Sequence, residues 1–200
     1  MNSSITINFH PSHYRSAMND YYFHYDNSWY NPGAGFVKRL CWYFCNAWFI
    51  NCGWNPTSAL RIFLLRLFGA KIGKHVVIHP NVNIKYPWFL EIEDYAWIGE
   101  NVWIDNLAHV HIGKAACLSQ GALLLCGNHD YKKRNFDLIV KGIDIQERAW
   151  IGARSVVCQG VIAYPYSMLC VNSVATHALE AYGIYRGNPA VKIKEREIVD

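Results

Sequence analysis

The chain has nine histidines, and His129 stands in the setting best suited to proton transfer. It lies in the run Gly127-Asn128-His129-Asp130-Tyr131, inside the longest interruption of an otherwise regular repeat. An imidazole titrates near pH 6.5 in water, so it can act as a general base near neutrality. A loop histidine is by itself usually a plain surface residue; its place in the one large insertion is what argues for function. Asp130 is its neighbour in sequence and is badly placed to orient its ring. Asp105 and His109, one repeat earlier, are better candidates for that task. Cys126 offers a second chemistry, a thiol nucleophile, which would have to form a thioester that can be trapped. Metal ligation has little support. Cys41 and Cys45 are one helical turn apart, but no CxxC pair accompanies them, and no metal is expected.

The elements that position these residues follow from a six-residue period. An aliphatic residue returns at Ile72, Ile78, Ile84; at Ile92, Ile98, Ile104; at Ile112, Leu118, Leu124; at Ile145, Ile151, Val157; and at Ala163, Leu169, Ala175. Four positions after most of these sits a small or β-branched residue, such as Val82, Ala116, Ala149 or Ser167, and Gly often follows the aliphatic, as at Gly73, Gly99, Gly113 and Gly152. A helix would need a period of 3.6. A period of six signals a parallel β-helix. Each hexad supplies one short strand and one corner, with the aliphatic inside, and three hexads close a triangular coil. Coils lie on one another at the parallel-strand spacing of about 4.8 Å. The predicted fold is an all-β solenoid of about five coils over 72–176, with Ile72, Ile92, Ile112, Ile145 and Ala163 in one core column.

The register also locates the insertions. The step from Ile145 to Ala163 is the bare 18 residues, whereas Ile72 to Ile92 and Ile92 to Ile112 take 20 and Ile112 to Ile145 takes 33. All the extra residues follow the third hexad, in Tyr86–Glu91, Asn106–His111 and Cys126–Asp144. They therefore stack at one corner, and loops on a repeat scaffold collect on the binding face. The candidate site is this corner, with His129 as base and Asp105, Asn106, His109, Asn128 and Asp130 beside it.

Residues 1–71 read as an N-terminal arm followed by two amphipathic helices. Phe36–Ile50 carries the stripe Phe36, Leu40, Phe44 and Trp48, and Thr57–Phe68 is stopped by Gly69. Neither reaches the roughly 20 apolar residues of a membrane span. They are expected to cover the open edge of the first coil; the competing reading is a peripheral contact with a membrane surface through Phe36–Phe68. Residues 177–200 read as an extension with a turn at Gly187-Asn188-Pro189 and a short helix over Ala190–Val199. The composition is globular, 52% hydrophobic and 17% charged. A net charge of +4 suits a phosphate-bearing ligand and is too small to argue for nucleic acid. Seven cysteines without a pairing pattern predict free thiols in a reducing compartment. Met1–Asn8 has no basic region followed by an apolar one, so no signal peptide is expected and the location is cytoplasmic, with the inner membrane face as the peripheral alternative.

Several motifs together carry a resemblance. The hexads, the loop Leu125-Cys126-Gly127-Asn128-His129-Asp130-Tyr131 and the ending Tyr185-Arg186-Gly187-Asn188-Pro189-Ala190 resemble the hexapeptide-repeat acetyltransferases. Asn27-Ser28-Trp29-Tyr30-Asn31-Pro32-Gly33 and Leu64–Gly73 resemble the colanic acid biosynthesis acetyltransferase branch. The resemblance implies a left-handed β-helix, against the usual crossover hand, and a homotrimer with active sites between subunits. It implies an acetyl-CoA-dependent O-acetyltransferase of exopolysaccharide or capsule biosynthesis. The acceptor would be a sugar hydroxyl on a nucleotide sugar, a lipid-linked sugar or another glycoside. In that mechanism the loop histidine, matched by His129, deprotonates the acceptor in a ternary complex, and acceptor contacts fall near Asp105 and Asn106. Coenzyme A contacts match Ala153, Val171, Thr176, His177 and Lys194, with Val171 and His177 standing where Ala and Lys are commoner. The basic ending adds Arg186 and Lys192 as phosphate ligands.

Two other classes remain. A zinc carbonic anhydrase on the same fold needs three converging histidines, two of them separated by four residues. His75 and His79 are separated by three, and His109 and His111 by one. A non-catalytic scaffold or sugar-binding module would use outward Trp97, Trp103 and Trp150, and would fail to bind coenzyme A.

Overall fold

The computed structural model describes residues 25–199, which form two compact units. The larger comprises 31–128 and 140–199, the smaller the arm up to Tyr30 with His129–Ile139.

In the larger unit three parallel sheets form the walls of the prism. The first contains Lys71–Ile72, Leu90–Ile92, Val110–Ile112, Ile143–Ile145 and Ile162–Ala163. Ile72 pairs with Ile92, Ile92 with Ile112, Ile112 with Ile145 and Ile145 with Ala163, which is the column the hexad register predicts. The second sheet aligns Ile78, Ile98, Leu118, Ile151 and Leu169, and the third Ile84, Ile104, Leu124, Val157 and Ala175. Apart from Ile72, which is half-buried, these side chains are buried, as are the small residues Val82, Ala116, Ala149, Ser155 and Ser167 that turn the corners. The glycines after the aliphatics have a steric cause. A Cβ on Gly152 would come within 2.6 Å of the Leu169 carbonyl oxygen in the next coil, closer than real Cβ atoms approach.

The corners are not equivalent. Between the first and second sheets the chain turns through a left-handed residue in each coil: His75, Tyr95, Ala115, Arg148, Tyr166 and Tyr182. Between the second and third sheets Asn81, Asn101, Gly121, Arg154 and Asn172 do the same. The corner from third sheet to first is the one that varies in length, and all three insertions lie there.

Helix α1 (Phe36–Cys45) runs into a π turn over Asn46–Ile50, and α2 spans Ser58–Leu67. Gly69 follows with φ +106, as its stop role requires. The helices satisfy the first coil's open edge. The Trp42 indole donates to the Ile84 carbonyl (3.0 Å), the Asn46 amide to Asn83 Oδ1 (2.8 Å) and the Ser58 hydroxyl to the Ile78 carbonyl (2.9 Å). Buried Arg61 donates to the carbonyls of Asn55, Thr57 and Ile78. The capping expectation holds, but α1 uses its other face for it. Phe36, Leu40, Phe44 and Trp48, the stripe expected to pack inward, are exposed.

Two differences concern the C-terminal part. The prism continues past Ala175 into a partial sixth turn. Leu179 lies against Ala163 in the first wall, and Tyr185 pairs with Leu169 in the second. The expected helix over Ala190–Val199 is absent. Ala190–Glu195 is instead a strand, antiparallel to Gly183–Gly187. The β-branched Val191 and Ile193 favour a strand that the helix-favouring Lys and Glu conceal, and a bulge at Ile193 puts Lys192 and Lys194 on opposite faces.

Candidate active site

The insertion that carries His129 leaves the prism beside Asp105. Leu125 pairs with Asp105, and the Cys126 amide donates to the Asp105 carbonyl (3.3 Å). The chain rejoins where the Lys141 amide donates to the Cys126 carbonyl (3.1 Å) and the Ile143 amide to the His109 carbonyl (3.1 Å). The roots of the insertion thus sit over Asp105–His109, as the stacking of insertions predicts.

Within the smaller unit the imidazole of His129 is fixed on two sides. Nδ1 lies 2.8 Å from the Phe136 carbonyl oxygen. A carbonyl only accepts, so Nδ1 carries the proton and the neutral ring's lone pair is on Nε2. The Phe136 ring stacks on the imidazole at 4.5 Å and 8° between planes, and Tyr25 packs at 5.6 Å. A backbone carbonyl therefore holds the ring in the role that Asp105 or His109 was expected to play. Asp130 secures its own turn by accepting from the Lys132 amide (3.1 Å). Asn128 lies on the exposed edge of the ribbon over Gly127–His129.

At the root, Asp105 is buried with Oδ1 2.9 Å from Lys85 Nζ. That oxygen has no partner of hydrogen-bond geometry, so the contact is an ion pair by distance alone. Asn106 is fully buried, and its amide is spent on Tyr86, donating to the carbonyl (2.6 Å) and accepting from the amide (3.0 Å). It clamps two stacked insertions together. Asp105 also borders a cleft of about 380 Å³ that α1 completes with Arg39, Tyr43 and Asn46, opposite Lys85, Tyr86 and Trp103. Aromatic faces beside amide and charged groups suit a sugar ring. Of these residues Trp103, Asp105 and Tyr86 stood out in the sequence. The signal for Arg39, Tyr43 and Asn46 is their helical spacing, which puts them on one face of α1 and its π turn.

His109 and His111 are occupied by carboxylates. His109 Nε2 is 3.6 Å from Glu91, and His111 bridges three coils, with Nδ1 2.7 Å from Asp144 and Nε2 3.2 Å from Glu93. His75 stacks on Tyr95 and His79 packs on Trp97. Among the described residues no group of three or more His, Cys, Asp or Glu could hold a metal ion. Cys126 is buried against the Ala108 carbonyl, and burial pushes its thiol up to about 11, so thiolate attack at neutral pH is disfavoured. All seven cysteines are free.

The coenzyme-side candidates lie at both ends of the third sheet's last strands. Ala153 and Val171 stack at the second-to-third corner, where the Asn172 amide donates to the Ala153 carbonyl (3.0 Å). Thr176 and His177 follow Val174–Ala175 at the insertion corner, with Thr176 Oγ1 2.9 Å from His177 Nδ1. In the terminal hairpin Lys194 pairs with Ile184, and Arg186 follows two residues on, so both share the outward face. Lys192 pairs with Tyr185 on the opposite face and is held at 2.7 Å by each of Glu180 and Glu195.

No protein-family model matches the chain. Among solved structures it resembles a hexapeptide-repeat-containing acetyltransferase from Vibrio cholerae, with a TM-score of 0.73, 24% identity, and 81% of this chain and 92% of that one covered. A galactoside acetyltransferase in complex with coenzyme A superposes with a TM-score of 0.66 at 20% identity, covering 80% and 82%. At such identities these show the fold, a left-handed parallel β-helix. In sequence the chain is 39% identical over 166 residues to the Escherichia coli K12 protein named as colanic acid biosynthesis acetyltransferase WcaF, covering 82% of this chain and 90% of the relative. The chain belongs to the hexapeptide-repeat acetyltransferases, in the colanic acid biosynthesis branch. It is an acyltransferase of this family.

The carboxylate clamp on His111 belongs to the acetyltransferase's scaffold and gives a pH signature. Burial lowers the imidazole's pKa, and the hydrogen bonds to Asp144 and Glu93 more than offset it, so the net shift is upward. A folded pKa above the unfolded value gives stability that is complete below about pH 6.5 and is lost as pH rises through the raised value. His111→Gln is expected to flatten the dependence of melting temperature on pH from 6 to 8, as read by thermal melts in matched buffers. An unchanged slope would show that the clamp contributes nothing.

Proposed function

We propose that this acetyltransferase moves an acetyl group from acetyl-CoA directly to a sugar hydroxyl, with His129 as general base. The observation that carries the reading is the Nδ1 contact to the Phe136 carbonyl, which leaves the basic lone pair on Nε2. The hydroxyl oxygen attacks the thioester carbonyl as Nε2 takes its proton. The tetrahedral intermediate collapses with cleavage of the C–S bond, and the imidazolium returns the proton to the coenzyme A thiolate. The cleft between α1 and Asp105, with Tyr43, Trp103 and Tyr86, supports a sugar as acceptor. The E. coli relative is named for polysaccharide biosynthesis and the galactoside acetyltransferase is in complex with coenzyme A, which supports the donor and the class of acceptor. Use of acetyl-CoA fits a cytoplasmic location, and no helix among the described residues is long and apolar enough to cross a membrane. The test is release of coenzyme A thiol with nucleotide sugars, lipid-linked sugars and simple glycosides. Acceptor-dependent release supports the reading, and failure to bind coenzyme A would favour the sugar-binding scaffold using Trp97, Trp103 and Trp150.

The active assembly is a homotrimer in this reading, because a packed prism cannot enclose two substrates by itself. Light scattering at micromolar concentration should give three chain masses; a monomeric mass would refute it.

Arg186 and Lys194 are the phosphate ligands of coenzyme A, with Ala153, Val171, Thr176 and His177 along the wall. Both cations project from the outward face of the hairpin, whereas Lys192 is already neutralised by Glu180 and Glu195. Arg186→Ala with Lys194→Ala is expected to raise KM for acetyl-CoA about tenfold with kcat nearly unchanged. Lys192→Ala should do less. A loss confined to kcat would count against the assignment.

A further inference from the structure

Helix α1 is oriented against the usual rule for an amphipathic helix. At 100° per residue, Phe36, Val37, Leu40, Tyr43, Phe44 and Trp48 fall within one apolar stripe, and all are exposed, Phe36 by 69% and Trp48 by 62%. Trp42, on the opposite side, is the residue that packs on the prism. The exposed side chains form a contiguous surface. Tyr43 contacts Phe44, Phe44 contacts Trp48, and the Trp54 indole donates to the Trp48 carbonyl (2.7 Å). Phe63 and Leu67 of α2 are exposed as well. Soluble chains seldom leave an apolar patch of this kind uncovered.

Charge decides between possible occupants. No Asp or Glu occurs between Asp26 and Glu91, whereas Lys38, Arg39, Arg61, Arg66, Lys71, Lys74 and Lys85 do. Lys38, Arg66, Lys71 and Lys74 are exposed. A second copy of this region would bring the same excess of cations, with no carboxylate from this stretch to compensate. Tryptophan, tyrosine and phenylalanine beside lysine and arginine match the interfacial layer of a bilayer, where rings sit at headgroup depth and cations meet lipid phosphates.

We propose that the outward face of α1 docks this acetyltransferase on an anionic lipid bilayer, with Phe36, Leu40, Phe44 and Trp48 entering the headgroup layer and the uncompensated positive charge of the helical region drawing it to anionic lipid. The helix lies in the plane of the surface and does not span it.

The experiment is co-sedimentation of the full chain with vesicles of phosphatidylcholine alone and with about one third phosphatidylglycerol, at low and high salt. The expected result is binding to the anionic vesicles that weakens with salt. Phe44→Ser with Trp48→Ser should weaken it about tenfold while melting temperature and acetyl transfer to a water-soluble acceptor stay unchanged. Absence of wild-type binding overturns the proposal, as does equal binding by the variant. A fall in oligomer mass in the variant, with no vesicle binding by the wild type, also overturns it and assigns the face to a second copy of the chain.

Discussion

Ile112→Asp is expected to leave almost no soluble protein. Ile112 is fully buried in the middle of the first wall's column, between Ile92 and Ile145. The inward residues of its own coil, Leu118 and Leu124, are aliphatic and buried too. Loss of the isoleucine side chain alone costs about 2–5 kcal/mol. A carboxyl there must also either stay ionised without a partner or take up a proton and remain unsatisfied, at a further cost of about 2–7 kcal/mol. The sum is comparable with the whole stability of a domain, about 5–15 kcal/mol. In a solenoid each coil rests on its neighbours, so damage in the third coil separates the capping helices from the hairpin end. Ile112→Val is the control, costing about 0.5–1.5 kcal/mol. The measurement is the soluble fraction on expression, followed by thermal melting of what is recovered. Soluble Ile112→Asp protein melting within a few degrees of the parent would mean that position 112 faces water and the register is wrong.

The prism was legible because its cause is strictly periodic. One inward residue every six positions sets the register of all three walls, and residues in excess of 18 per coil reveal which corner is open. The end of the prism was less legible. Leu179 arrives 16 residues after Ala163, short of a full coil, so the sixth turn falls outside the period. The terminal strand was hidden by composition, since Lys192, Lys194 and Glu195 favour a helix while the β-branched Val191 and Ile193 favour a strand. The stripe on α1 could be read, but not the side it would face. That depends on Trp42 and Asn46 meeting the Ile84 and Asn83 edge, a tertiary fact with no local signature. In the candidate site, the place of His129 on a long excursion from the prism was legible through the length of its insertion. Its orienting group was not, because the Phe136 carbonyl is backbone, which every residue has, and only the return of the loop over His129–Ile139 brings it to Nδ1. Asn106 shows the reverse: a polar residue at the right corner whose capacity is consumed by the fold.

His129→Ala is expected to lower kcat for acetyl transfer by about 10²–10⁴-fold with folding intact, the range associated with loss of a positioned general base. The side chain lies on an insertion outside the stacked core, so its removal disturbs no column of the prism. The melting temperature should stay near that of the parent, and KM for acetyl-CoA should change little, since the proposed donor contacts are other residues. His129→Gln should be nearly as slow: its amide can hydrogen-bond the Phe136 carbonyl but cannot accept the hydroxyl proton. Phe136→Ala should cost less, about tenfold, because it removes the stacked face that steadies the imidazole while the carbonyl partner remains. Asp105→Asn should cost less still in kcat and appear mainly in KM for the acceptor, since Asp105 pairs with Lys85 on the border of the sugar-sized cleft. These variants separate the base from the group that steadies it and from the acceptor site. Full transfer by His129→Ala, with activity abolished instead by His109→Ala or His111→Ala, would move the base from the insertion to the wall of the prism. The carboxylates now contacting those histidines, Glu91, Glu93 and Asp144, would then be the orienting groups of a different site.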